Sequence, residues 1–297
     1  MISFLRKFQI LRIIWTHPLN RGRKLLSMLI FLRFQFIGRV NKSRIEVEWI
    51  HGLRFYIAPG ETGMTINLYC AMSEPNEMLF MLHFLNESDV FFDIGANAGS
   101  YSLLAAGISK SNVYSFEPVL QTRQKLVENL TLNSLPTKFV QSCALGARQG
   151  KVQLTESLDA INHVVRASEE LAVDSVELQT LDSYAIVAGV SLVKIDVEGY
   201  EMEILRGATS FLEKPALKAL IVETNGETKH YGSQDSEIEI FLSHFGFSAY
   251  DYDPTARKLT LLKAANTIGN TIFVRDLDDV ITRISSSPRV SIHKTSF

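Results

Sequence analysis

The spacing of apolar and polar residues along this 297-residue chain changes period repeatedly, and each change marks an element. Residues 1–37 carry a helical period broken near Pro18. The stretch from Ile45 to Pro59 reads as a small β element turning at His51-Gly52. Glu74 to Leu85 predicts an amphipathic helix. From there short apolar runs alternate with helical patterns. Strands are expected at Val90–Ile94, Val113–Glu117, Lys138–Ser142, Leu192–Val197 and Leu217–Glu223. Helices are expected at 100–107, Val119–Asn133, Tyr200–Leu212 and Glu237–Phe245. Lys151–Thr155 and Val176–Leu181 are strand-like excursions around a polar stretch. Phe247–Tyr252, Lys258–Leu262 and Thr271–Arg275 follow with tight connections, which implies antiparallel pairing. The tail after Ser285 reads as frayed. This alternation predicts an α/β fold, with a mostly parallel, Rossmann-like sheet between helices and an antiparallel C-terminal strand. Ligands of such sheets sit beyond the C-terminal strand ends.

One such end is chemically marked. Val90-Phe91-Phe92-Asp93-Ile94 runs into Gly95-Ala96-Asn97-Ala98-Gly99, and a helical stretch follows. A strand, a glycine-rich turn and a helix N-terminus together present backbone N–H groups to a small polar ligand. The loop reads G-x-x-x-G and lacks the second glycine of G-x-G-x-x-G, which lets a backbone approach a pyrophosphate. This argues against NAD. Asp93 favours a cationic amine over a phosphate, which fits S-adenosylmethionine. The next strand ends in Phe116-Glu117-Pro118. A carboxylate about 20 residues past such a loop sits where it can accept both ribose hydroxyls.

Composition adds bounds. A hydrophobic fraction of 46% is ordinary for a globular protein. Cys70 and Cys143 form no C-x-x-C, so neither a disulfide framework nor a zinc site is expected, and a reducing, cytoplasmic setting follows. The net charge is −2, yet residues 1–45 hold ten Lys or Arg and no acid. They interleave with apolar residues, as in a basic amphipathic helix lying on an anionic membrane surface, here the inner one. The competing reading is a helical cap packed on the core with a solvated basic face. The apolar run Leu25 to Leu32 is too short to span a bilayer, the pattern is not that of a signal peptide, and no nucleic-acid motif accompanies the charge.

A second strand ends in charge. Val190-Ser191-Leu192-Val193-Lys194-Ile195-Asp196-Val197-Glu198-Gly199 places Asp196 and Glu198 where the site should be. Lys194 is unusual in an apolar strand, and it either pairs with a carboxylate or orients Asp196.

These residues resemble the FkbM family of S-adenosylmethionine-dependent methyltransferases. The resemblance rests on Asp93-Ile94-Gly95-Ala96-Asn97-Ala98-Gly99, Phe116-Glu117-Pro118, Ala144-Leu145-Gly146, Thr180-Leu181-Asp182, Lys194-Ile195-Asp196-Val197-Glu198-Gly199 and Leu205-Arg206-Gly207-Ala208, and it runs from about Glu74 to Arg275. It implies a class I methyltransferase fold acting on hydroxyl oxygens of sugars or polyketide-type molecules. It implies that Asp93, Gly95, Asn97 and Gly99 form the cofactor loop and that Glu117 binds ribose. Ser142 to Ala144 would lie beside the adenine, and Glu74 near the methionine end. Asp196 and Glu198 would be the acidic pair. The chain departs from the family pattern at Gln141 and Ser142, where Asn is frequent.

An alcohol must lose its proton to attack a methyl group, and a positioned base adds perhaps 10²- to 10⁴-fold. Asp196 is the first candidate, Glu198 the second, and His230 a weaker third. Asp196, Glu223 and Asn225 lie at adjacent strand ends and offer oxygen ligands of the kind that suit Mg²⁺, but they read equally as a metal-free polar rim, and no metal site is assigned. The expected division is an extension (1–73), a methyltransferase domain (74–285) and a tail (286–297). The partner is a small-molecule or glycan acceptor. Alternatives are a non-catalytic S-adenosylmethionine-binding or membrane-docking protein, and a nucleotide-dependent oxidoreductase.

Overall fold

The structure is a computed structural model that describes residues 4–40, 43–58, 61, 63–155, 163–165 and 173–297. Helix α1 (Phe4–Thr16) ends at a short 3₁₀ turn opened by Pro18, and α2 (Lys24–Val40) returns alongside it. Strands β1 (Ile45–Glu48) and β2 (Arg54–Ile57) form a hairpin turned at His51 and Gly52, both with positive φ. Helices α3 (Thr65–Cys70) and α4 (Pro75–Phe84) lead into the main sheet. Pro75 opens α4, where a missing N–H costs nothing.

The sheet is laid down as β3 (Val90–Ile94), α5 (Ser100–Leu104), β4 (Asn112–Phe116), α6 (Leu120–Leu132) and β5 (Val140–Gln141). A small side sheet interrupts it, made of β6 (Ala144–Leu145), β7 (Gly150–Thr155) and β8 (Val173–Gln179). The chain then returns through β9 (Val190–Ile195), α7 (Glu201–Arg206), α8 (Thr209–Leu212), β10 (Ala219–Glu223), α9 (Asp235–Ser243), β11 (Ser248–Asp253), β12 (Lys258–Leu261) and β13 (Asn270–Val274). Helix α10 (Leu277–Ser286) and a hairpin of β14 (Ser291–Ile292) and β15 (Thr295–Ser296) complete it.

The eight strands lie in the order β12-β11-β13-β10-β9-β3-β4-β5. The five from β10 to β5 are parallel, and β13 inserts antiparallel between β10 and β11. The expected mostly parallel sheet with antiparallel C-terminal pairing is therefore the observed fold. The chain reverses its direction of travel across the sheet between β3 and β9, and a crevice opens there at the strand ends.

Alternate residues of each strand face opposite cores. Phe91, Leu192 and Ile221 pack with α1, α2, α4 and α10, while Phe92, Val193 and Leu220 pack with α7, α8 and α9. Ile14, Phe31 and Phe34 belong to the first of these cores, so the N-terminal helices share one apolar interior with the sheet.

Three expectations need correction. The segment 74–85 is not amphipathic, because every residue of α4 from Met78 to Phe84 is buried between the sheet and α10. The segment 200–212 is two helices rather than one. It breaks at Gly207, where a Cβ would lie 2.1 Å from the carbonyl oxygen of Gly146. The tail is not frayed. Val290, Ile292 and Phe297 are buried, and the Arg257 guanidinium donates to the carbonyl oxygens of Ser287 (2.7 Å) and Phe297 (3.1 Å).

Candidate active site

Gly95 leaves β3 with φ +79°, and a Cβ there would lie 1.8 Å from the carbonyl oxygen of Asp196. The ends of β3 and β9 therefore touch backbone to backbone, which only glycine permits. Gly99 also has positive φ, but its missing Cβ accommodates Leu126 of α6, so it sets how the helices pack and does not line the crevice. Asn97 turns the loop in the left-handed region (φ 51°), and its side-chain oxygen accepts the N–H of Ala98 at 2.7 Å.

Glu117 joins two loops. One carboxylate oxygen accepts the N–H of Asn97 (3.0 Å), and the other accepts the N–H of Val119 (2.9 Å). Burial pushes its pKa up to about 7, against the pull of those hydrogen bonds.

On β9, Lys194 is buried and donates to Asp196 at 2.5 Å. Its ammonium lies 4.7 Å from the Tyr101 ring centre, and its register partner on β3 is Asp93. Burial alone would lower the lysine's pKa, but Asp196, Glu74 and Asp93 outweigh it and raise the pKa above the ordinary value. Asp93 is buried and accepts the Ser102 hydroxyl at 2.6 Å. Burial raises its pKa, against the pull of Lys194. Glu74, preceding α4, accepts the Tyr101 hydroxyl at 2.6 Å.

After β9 the chain turns sharply. Glu198 sits at φ 57°, a left-handed conformation that a glutamate holds only under constraint. The Val197 and Gly199 N–H groups both donate to Glu201 and fix that turn. Burial, then the neighbouring Asp196, Glu201 and Glu227, raise the Glu198 pKa to about 7. At the end of β10, Glu223 keeps one buried carboxylate oxygen with no hydrogen-bond partner. Burial, with Asp196, Glu198 and Glu201 nearby, holds its proton affinity high.

These residues enclose two adjoining cavities. One, of about 70 Å³, lies between β4 and the side sheet and has apolar walls that include Val119, Leu145 and Leu154. The other, of about 250 Å³, is acidic and is lined by Glu74, Asp93, Lys194 and Glu223 among others. Gly95, Asn97, Asp196 and Glu198 line both and form the waist between them. Carboxylate oxygens of Asp196, Glu198 and Glu223 lie within 4.8 Å of one another, so these three residues could hold a divalent cation. Asn225 is turned to a different task, since its side-chain oxygen accepts the N–H of Glu227.

The structure brings Glu74, Asp93, Gly95, Asn97, Glu117, Ala144, Asp196 and Glu198 to this cleft. It does not bring all the candidates. Ser142 is exposed, and Cys143, Ala144 and Leu145 form the wall in its place. His230 lines neither cavity and lies 3.3 Å from Glu227 in a short 3₁₀ turn. Tyr101 and Tyr200 line the cleft without having been expected. An aromatic residue just after a ligand loop, or just after a glycine at a strand end, was the available signal. Most of the polar stretch 156–175 lies outside the described residues.

Residues 93–249 match the Methyltransferase FkbM domain family. Hexuronic acid methyltransferase AglP of Haloferax volcanii is 27% identical over 175 residues, spanning 57% of this chain and 68% of that protein. Methyltransferase 1 of Beauveria bassiana is 24% identical over 140 residues, spanning 39% of this chain and 56% of that one. Among solved structures, the methyltransferase FkbM of Methylobacillus flagellatus KT aligns with a TM-score of 0.43 at 14% identity, covering 82% of this chain and 58% of the other, under two thirds of its length. M. jannaschii TYW2, solved in complex with AdoMet, aligns with a TM-score of 0.40 at 16% identity, covering 79% and 88%.

Proposed function

The chain belongs to the FkbM methyltransferase family, and from that premise we propose that it moves a methyl group from S-adenosylmethionine to a hydroxyl oxygen of a sugar or polyketide-type small molecule. The observation that carries this reading is the waist. Asp196 and Glu198 stand where the acidic and apolar cavities meet, the place this reading gives to the methyl carbon and the acceptor oxygen.

The residues present suit the donor. Gly95 lets the ends of β3 and β9 close on each other beside the cleft, where any Cβ would strike the Asp196 carbonyl. Val119 and Leu145 would hold an adenine, and Glu117 a ribose diol. The acidic cavity, with the unpartnered oxygen of Glu223, would hold the ammonium group of the donor's amino acid end. When bound, the donor supplies a methyl carbon already activated by a positively charged sulfur.

The chain's own groups do the rest. Asp196, gripped by Lys194, orients the acceptor hydroxyl. Glu198, with a pKa near neutrality, takes its proton as the oxygen attacks. This reverses the order expected from the sequence, because Asp196 is already engaged by an ammonium. Holding nucleophile and methyl in line supplies up to roughly 7–11 kcal/mol in favourable cases. A sugar acceptor is favoured by the likeness to a hexuronic acid methyltransferase. The family does not favour an oxidoreductase.

The test is label transfer from methyl-labelled donor to a panel of sugars, glycans and polyketides, with the methylated atom located by NMR. An O-methyl product supports the reading. Donor binding by calorimetry without transfer to any acceptor points to the non-catalytic alternative. A methyl group on nitrogen or carbon overturns O-methylation.

A further inference from the structure

The N-terminal helices carry a surface that the chemistry above leaves unused. On α2, Leu25, Leu29, Leu32 and Phe36 are 72%, 62%, 56% and 66% exposed. Their spacing of four, three and four residues puts them on one side of the helix. The other side is the one that packs, with Phe31 and Phe34 buried edge-on against Tyr69 of α3. On α1, Phe8 and Trp15 are likewise exposed, at 65% and 48%. Lys24 sits 4.9 Å from the Trp15 ring centre and ties the start of α2 to the end of α1. A contiguous apolar face of this kind is unusual on a monomer and marks a contact surface.

Its charge decides what it contacts. Residues 1–45 hold ten Lys or Arg and no acid. Arg12, Arg21 and Arg33 are exposed among the apolar residues. Beside the α1–α2 turn, a groove of about 990 Å³ has apolar walls (Trp15, Leu25) and basic ones (Arg21, Lys24, Lys294). A second copy of the chain would set this cationic surface against its like. An anionic bilayer complements both halves of it: acyl chains take the leucines and aromatic rings, and headgroup phosphates take the arginines. No described helix is long and apolar enough to cross a membrane, so the fitting geometry is α2 lying in the interface plane.

We propose that the exposed face of α1 and α2 docks the protein onto the surface of an anionic lipid bilayer. The docking face is separate from the cleft and stands or falls independently of the acceptor's identity.

The experiment is flotation of the full chain with vesicles of phosphatidylcholine alone or mixed with phosphatidylglycerol. The protein floats with the mixed vesicles and stays behind with the neutral ones, and added salt weakens the association. Leu29→Glu with Phe36→Glu lowers the floated fraction at least about tenfold while donor binding by calorimetry stays intact. Arg12→Glu with Arg33→Glu, at exposed positions, gives a loss of similar size and serves if the first pair fails to fold. The chain has two tryptophans, and Trp49 is buried, so a blue shift of emission on adding mixed vesicles reports Trp15 entering the interface. Absence of flotation, equal flotation with neutral vesicles, or unchanged flotation of both double variants overturns the proposal. So does a vesicle-free dimer, seen by sedimentation, that Leu29→Glu with Phe36→Glu dissolves.

Discussion

Lys194 near the end of β9 and Asp196 just beyond it form a 2.5 Å ion pair at the floor of the cleft. The lysine is buried, and it also faces Asp93 and Glu74, so one ammonium balances several carboxylates. Lys194→Met leaves those acids uncompensated, which costs about 3–5 kcal/mol when a buried pair is broken from one side. Urea unfolding measures the loss. It is larger at alkaline than at mildly acidic pH, because Asp93, whose pKa burial already raises, takes up a proton once the lysine is gone.

A second prediction concerns pH. Glu77, Glu117, Glu198 and Glu201 are each pushed up to about 7, chiefly by burial. Their unfolded values lie near 4.3, so between about pH 4.3 and 7 the folded chain binds more protons than the unfolded one. The stability of the ligand-free protein therefore falls as pH rises through that window, and the raised proton affinity of Glu223 extends the fall above it. Denaturant midpoints across the window test this. A bound cationic donor flattens the dependence by lowering the proton affinity of Glu198.

Glu198 separates activity from stability. Glu198→Gln lowers kcat by about 10²–10⁴-fold while leaving donor affinity within a few-fold. Glu198→Gly also abolishes turnover but raises stability by about 1 kcal/mol, since glycine adopts φ 57° without strain and one acid leaves the cluster. A gain in melting temperature together with a dead enzyme is the expected signature. If turnover survives Glu198→Gln but not Asp196→Asn, the base is Asp196.

Two glycines with nearly the same backbone angle should behave differently. At Gly95 (φ +79°) a Cβ meets the Asp196 carbonyl, whereas Gly226 (φ +83°) has nothing within 4 Å. Gly226→Ala costs about 1–2 kcal/mol of left-handed strain and little else. Gly95→Ala forces the ends of β3 and β9 apart, costs more than that, and lowers donor affinity at least about tenfold by calorimetry.

The glycine turn, the carboxylate of Glu117 and the acids after β9 were legible because strand ends in a parallel sheet converge, and each was announced by polar residues closing an apolar run. Lys194 was legible as an anomaly, with pairing to a carboxylate as one of its two readings. The placement of Ser142 was not legible. β5 is only two residues long, so the alternation that would tell which side of the chain faces inward never establishes itself. His230 failed for a related reason, since a residue in a short loop has no periodicity to orient it. Helix α4 misled because a segment buried on every side carries no polar stripe, and its true surroundings come from distant elements. The C-terminal hairpin is polar in composition, and Arg257, some 30 residues away or more, supplies the hydrogen bonds that hold it.

Glu117 grips N–H groups from the turns after β3 and β4 with the two oxygens of one carboxylate. The two turns are thereby fastened to each other before any ligand arrives. Little of the donor's binding free energy need go into arranging them. The same staple makes the turns interdependent, so lesions at Asn97 and Val119 should combine to less than their sum: once one side is released, the other has already lost its anchor.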